Sequence, residues 1–506
     1  MGFTPRERKR WGNRRLNKLE ALPGLAAWKQ AGGDLASAQM RAFPFNGVVS
    51  KLAVSGIPLS PALTASRTSG PAPLAVQFDA IATVSSAVAD AFRSVRYTFD
   101  FGDPGSGTFA VDGSSRNSEQ GGPLAWHVFE TPGTYSVTVT ADDGASTAQK
   151  VVTITVEDPD AVYAGAATIC VDPAGTTGWG PAGAAYTTSI PPTSSWGGKR
   201  IVLKRGSDFT SAGSFSVMGA ADWQVVAGGT GAPPIVSSIS IGVDRPAADF
   251  SVWPDRCVIA DLACTNGYRL GGMGSHHLAL RCSTGSSTYE VDMGWSTYYM
   301  FGDQYQQLPI GDWQVPKFHL NAECSFPGSK DSQAYNMFVQ ADSEFGFLGC
   351  QFGSVMYHNL RIAQGHKFFI AHNSFAGDSY NGSYHCLKVH GGDLTEYAEP
   401  LSAAEQLWAS RYGVIQKNVF GSATCPYAWL LATCPENGTS AEGVEDILIL
   451  DNTFVRSIDG QRDIVPGGRR ITMEGNTVQG GALSWSTGHE AALPAEWQGP
   501  YYTSRV

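Results

Sequence analysis

The sequence predicts a mainly β protein in three parts: a short N-terminal helix with an extended arm, a β-sandwich, and a right-handed parallel β-helix. Three observations carry this. Gly (59) and Pro (28) are frequent while charged residues are only 16% of the chain, a mix suited to short strands joined by tight turns. Alternating strand patterns fill residues 63–157. Between about 320 and 480 a motif recurs in which alternating apolar residues lead to Asn or Cys, one further residue, and then Phe or Val. A chain of 506 residues is also too long for one ordinary core.

Residues 1–62 form the first part. Thr4 offers an N-cap hydroxyl, Pro5 the first helical position and Glu7 a capping-box carboxylate, so a helix is expected over 4–22. Its apolar positions are sparse (Trp11, Leu16, Leu19, Leu22), and it needs a partner to be stable. Residues 23–62, with Pro23, Pro44, Pro58 and Pro61, read as an extended arm. Within residues 1–30, Arg6, Arg8, Lys9, Arg10, Arg14, Arg15, Lys18 and Lys29 face only Glu7 and Glu20, a local charge of +6. The remaining 476 residues therefore hold −16 of the net −10. A basic arm on an acidic body marks an interaction tail. The arm lacks the apolar run and small-residue cleavage site of a secretory signal, and no apolar stretch approaches the roughly 18 residues of a membrane span. The nine cysteines form no CxxC pair, and several sit inside apolar strands. Buried free thiols, in a protein folded in a reducing cytosol, are expected rather than disulfides.

The second part spans 63–157. Strands are expected at Val95–Phe101, Tyr135–Thr140 and Val151–Val156, with turns at Gly102-Asp103-Pro104-Gly105, Thr131-Pro132-Gly133 and Asp142-Asp143-Gly144, as in a two-sheet sandwich. The stretches 70–80, 97–103 and above all His127-Val128-Phe129-Glu130-Thr131-Pro132-Gly133-Thr134-Tyr135-Ser136-Val137-Thr138-Val139 resemble the PKD domain. The departures are Asp100, inserted in the aromatic-x-Phe-Gly-Asp-Gly signature, and Pro104, where that signature has Gly. The resemblance implies a spacer or adhesive module and not a catalyst.

The third part, 158–506, rests on two ladders. Cys324, Cys350, Asn373, Asn418, Asn452 and Asn476 recur at steps of 26, 23, 45, 34 and 24. Steps near 24 read as single rungs, and longer ones as rungs with insertions or as two rungs. The segments beginning Tyr335, Tyr357 and Tyr384 form a second ladder at steps of 22 and 27. One rung has no partner for its strand edges, and stacking supplies it. Together with Gly198–Gly206, Trp223–Val226 and Gly231–Val236, these lines resemble pectate-lyase-like β-helices, which is specific for fold and not for activity.

Arg361 and Lys388, with His358 and His385 three residues before each, are the catalytic candidates. A polysaccharide lyase needs a cation for the uronate carboxylate and a base for the adjacent proton. The Arg361 rung resembles that of alginate-type lyases. That resemblance implies a Lys base about one rung earlier, where Gln340 stands, and glutamine is no base. The alternative is an exposed polar stripe. The segment 288–317 holds seven aromatics in 25 residues. Tyr289, Glu290, Asp292, Trp295, Tyr298, Tyr299, Tyr305 and Trp313 suit stacking on pyranose faces and hydrogen bonding to hydroxyls. Equally, the aromatics would hold the loop to the rod. No spacing calls for a metal or a cofactor, and His276-His277 sit on opposite strand faces.

The whole resembles a bacteriophage tail spike or a head or tail fibre. That implies docking of residues 1–62, through the basic side chains above, on capsid or tail proteins, and recognition of host surface polysaccharide by the rod. It also implies a homotrimer along the rod axis, with Trp485, Trp497, Tyr501 and Tyr502 near the join, and residence in the virion. Neither a membrane span nor nucleic acid as primary ligand is expected. The alternative is a polysaccharide lyase or glycoside hydrolase acting on acidic polysaccharide, with Glu290 and Asp292 as one carboxylate pair.

Overall fold

The computed structural model describes residues 58–479, apart from 218, 243–253, 272–273, 286–290, 295–316, 329–335, 341, 364, 377–384, 392–409, 423–428, 434–443 and 456–462. The helix expected over 4–22, the basic side chains of the arm and the aromatic tail lie outside the described residues. Among those residues no helix is long and apolar enough to cross a membrane.

Two sheets form the sandwich. One pairs Thr64–Ala65, Leu74–Asp79 and Leu124–Phe129; the other orders Ser69–Pro71, Thr147–Glu157, Gly133–Asp142, Arg96–Asp100 and Ser118–Gly121. Strict alternation decides what they bury. Tyr97 and Phe99 turn inward between exposed Arg96, Thr98 and Asp100, and meet Phe78, Phe129, Val137, Val139 and Ile154 in one core.

The rod is three parallel sheets of twelve, nine and nine strands, here termed the long, middle and narrow sheets. Strands three apart in the chain pair in register, one rung above another. Ser374 pairs with Val419, so the 45-residue step from Asn373 to Asn418 is one rung with an insertion, not two. At the turn between the long and narrow sheets, His372, Lys417 and Asp451 take left-handed backbone (φ 57°, 54° and 52°), each just before a ladder asparagine. Asn418 shows the ladder's logic. Its Nδ2 donates to Ile370 O (2.9 Å), and its Oδ1 accepts from the Asn373 backbone N (3.0 Å) and Nδ2 (2.9 Å). Two residues on, Phe326, Phe352, Phe375, Phe420 and Phe454 stack inside the rod at centroid spacings of 4.6–5.3 Å.

The sandwich lies along the outer face of the long sheet. Phe92, Phe109, Leu124 and Trp126 form one apolar cluster with Leu278, Leu280, Leu320, Leu348, Phe369, Val414 and Leu448. Charge pairs flank that cluster: Arg281–Glu130 (2.8 Å), Arg116–Glu323 (2.5 Å), Lys367–Asp79 (2.7 Å) and Lys417–Glu119 (2.6 Å). The rod residue of each pair (Arg281, Glu323, Lys367, Lys417) has positive φ, which aims its side chain out of the sheet at the sandwich. This corrects the spacer expectation. A module packed on the rod's flank does not extend the molecule end to end, and the apolar outer face of the long sheet explains why it sits there.

At the centre of the contact, fully buried His372 stacks on Phe109 (4.1 Å) and bonds Asp112 through Nδ1 (2.6 Å) and Glu119 through Nε2 (2.7 Å). Burial alone lowers its pKa, yet the charge of Glu119 and the hydrogen bonds to Asp112 and Glu119 raise it to about 9. Asp112, opposed by burial but bonded to His372, is lowered to about 2. A raised imidazole adds stability that is complete below its ordinary value of 6.5 and is lost as pH rises through about 9. The lowered carboxyl adds stability present above 3.8 and lost as pH falls through about 2. The thermal midpoint is therefore expected to fall as pH rises from 6.5 to about 9 and to level off above that, as far as His372 sets it. In His372→Gln the alkaline fall should be shallower; parallel curves for the two proteins would contradict this assignment.

Candidate functional site

The outward face of the middle sheet carries the strongest cluster. Met337–Gln340, Leu360–Ala363 and His385–His390 pair in parallel, with Phe338, Arg361 and Lys388 in one column. In-register strands stand ~4.8 Å apart, so two cations occupy neighbouring rungs. Arg361 lies over the Phe338 ring (5.1 Å) and its Nε donates to His390 Nε2 (2.9 Å). His358 and His385 stack at 5.2 Å, and His358 Nδ1 accepts from the backbone N of His385 (2.9 Å). Burial, then the neighbouring imidazole and the charges of Lys388 and Arg361, hold His358 well below the usual imidazole range. Burial, then Arg361 and Lys388, do the same to His390. The site therefore sets two cations beside neutral rings.

All four sequence candidates lie on these rungs, Arg361 and Lys388 in one column and His358 and His385 stacked in another, but the exposed stripe is not observed. Arg361 and Lys388 are 7% and 6% exposed, and His358 and His385 are buried too. Gln340 also needs correction. It pairs with Ala363, and the partner of Arg361 one rung earlier is Phe338. The ladder step there is 23 residues, because Met337 meets Leu360. A one-residue slip moves every side chain to the other face. Phe338 and His390 were missed. His390 lies two positions after Lys388 and so on the same face, a signal that alternation alone supplies.

Asp292 belongs to the same column, since its register partner is Phe338. Tyr289, Glu290, Trp295, Tyr298, Tyr299, Tyr305 and Trp313 lie outside the described residues. Among the described residues no three His, Cys, Asp or Glu are placed to hold a metal ion. His276 and His277 do take opposite sides. His276 stacks outside on Phe318 (4.7 Å), whereas His277 stacks inside on His319 (4.8 Å). His319 is buried and bonded to Asp342 (2.9 Å).

Residues 62–156 match the family model of the PKD domain. No curated protein matches the chain. Among solved structures, one similar to this chain is a family 28 exopolygalacturonase of Yersinia enterocolitica, at 10% identity and TM-score 0.39, covering 88% of this chain and 85% of that one. Another is ORF18 of Geobacillus virus E2, at 8% identity and TM-score 0.28, covering 69% of this chain and 65% of that one.

Proposed function

We propose that the rod binds acidic polysaccharide at the outward face of its middle sheet, with Arg361 and Lys388 receiving a uronate carboxylate. The observation that carries this is the register that places the two cations on neighbouring rungs. Held away from bulk water, such cations attract a carboxylate far more strongly than surface lysines do. The +6 charge of residues 1–30 supports a second element of the proposal, attachment of the chain to a larger particle, that of a virus, through residues 1–62. In a trimer of such rods the protomers would meet on a face other than the long sheet, which the sandwich covers.

A second reading, a polysaccharide lyase, is favoured by one feature: neutral His390 lies 2.9 Å from Arg361, pairing a possible proton acceptor with a carboxylate-binding cation. Both readings are tested together by incubating the protein with alginate, polygalacturonate and a neutral glucan. Binding to one of the polyuronates is expected. In Arg361→Ala/Lys388→Ala, checked for an unchanged fold, affinity should fall at least tenfold, about 1.4 kcal/mol. Unchanged affinity in the double variant, or equal binding of the glucan, would reject the site. Growth of unsaturated-uronate absorbance would identify the enzyme.

A further inference from the structure

Inside the rod, the column that becomes the asparagine ladder begins with three cysteines. Ser283 pairs with Ser325 and Ser325 with Gln351, so the residues just before them, Cys282, Cys324 and Cys350, occupy successive rungs. All three are buried free thiols. Each donates to a carbonyl of the preceding rung: Cys282 to Ile259 O (3.6 Å), Cys324 to Ala279 O (3.4 Å) and Cys350 to Asn321 O (3.3 Å). The ladder asparagines do the same further along, Asn373 to Phe347 O and Asn418 to Ile370 O. The thiols thus replace amides in one structural role and add a chemistry that amides lack.

Cys324 is the middle of the line, one rung from Cys282 on one side and from Cys350 on the other. In-register parallel strands lie ~4.8 Å apart, inside the ~4.4–6.8 Å range of Cα separations that a disulfide spans. Three thiols in a row do not converge on one point, in keeping with the lack of a metal-holding cluster among the described residues. The chemistry open to a row of thiols is pairwise.

We propose that Cys324 is the common half of a latent disulfide, closed with either Cys282 or Cys350, that staples neighbouring rungs when the protein meets an oxidising medium. The oxidant is a small-molecule disulfide. One cysteine thiolate attacks it, forming a mixed disulfide and expelling one small thiolate. The second cysteine thiolate then attacks the mixed disulfide at the protein sulfur and expels the other. One S–S bond is lost and one gained, the two cysteine protons pass to the departing thiolates, and two cysteine sulfurs are oxidised as the reagent is reduced to two thiols. Cys324 has one sulfur, so the two staples exclude each other, and the third thiol lies beside the bond ready to exchange with it. Burial blocks direct attack, so the reaction follows local opening of a rung or occurs while the chain folds.

The test incubates the full chain with oxidised glutathione, alkylates remaining thiols in acid and maps peptides without reduction. The wild type is expected to lose two hydrogens per chain in a cross-link that always contains Cys324. Its thermal midpoint should rise by several degrees, reversibly on reduction. Cys324→Ala should show neither change, whereas Cys282→Ala should keep both through Cys350. Where Cys324→Ala does not fold, Cys282→Ala/Cys350→Ala carries the same expectation of no cross-link. A disulfide mapped to a pair without Cys324, or three free thiols after incubation under conditions in which these rungs exchange their amides, overturns the proposal.

Discussion

Asn418→Ala is expected to cost the rod about 3–5 kcal/mol, read from denaturant unfolding. The side chain is 1% exposed, and truncation strands several groups at once. The backbone N and Nδ2 of Asn373 lose their shared acceptor, and Ile370 O loses its donor. Each buried polar group left unpaired costs ~1–3 kcal/mol, and the neighbouring rungs are too well packed to admit water in compensation. Thr453→Ala, beside the equivalent turn one rung on, should stay within ~0.5 kcal/mol. The column itself supplies a further control. Because Cys282, Cys324 and Cys350 hold equivalent positions and donate to equivalent carbonyls, Asn418→Cys should be milder than Asn418→Ala. A cost for Asn418→Ala no larger than that of Thr453→Ala would remove the ladder from the account of stability.

Glu119→Ala is expected to be equally severe and to act on the contact between sandwich and rod. Glu119 is 3% exposed and accepts from His372 Nε2 (2.7 Å), Gln416 Nε2 (2.5 Å) and Lys417 Nζ (2.6 Å). Its own pKa is lowered: burial opposes this, but the charges of His372 and Lys417 and their hydrogen bonds prevail. Removing one member of a buried charge network leaves the others uncompensated, at ~3–5 kcal/mol. His372 would also lose half of what keeps it protonated. The double variant Glu119→Ala/His372→Gln should therefore cost less than the sum of the singles. Strict additivity would show that the two do not act as a unit.

Much of the rod was legible because its period is written in the chain. The Asn/Cys column, the Phe stack beside it and the sandwich strands around Tyr97, Tyr135 and Val151 each follow from alternation or repeat. The long step from Asn373 to Asn418 stayed open between one rung and two, since an insertion leaves no local trace. The slip at Tyr335 has the same origin. Nothing in Tyr335-Asn336-Met337 distinguishes a step of 22 from one of 23, and only the paired strands decide it. The partnership of Phe338 with Arg361 was hidden by that slip. The docking of the sandwich was not legible either. It depends on rod residues at positive φ, such as His372, Lys367 and Arg281, and charged side chains in that conformation carry no sequence signature. Their strain is offset by the contacts they aim at.

The most direct test of the central claim, that the middle sheet's outward face recognises an acidic glycan, is amide hydrogen exchange with and without a bound polyuronate. Slowed exchange concentrated in Met337–Gln340, Leu360–Ala363 and His385–His390 is the predicted result. Protection confined to the sandwich or the narrow sheet, with those three strands unchanged, would contradict it.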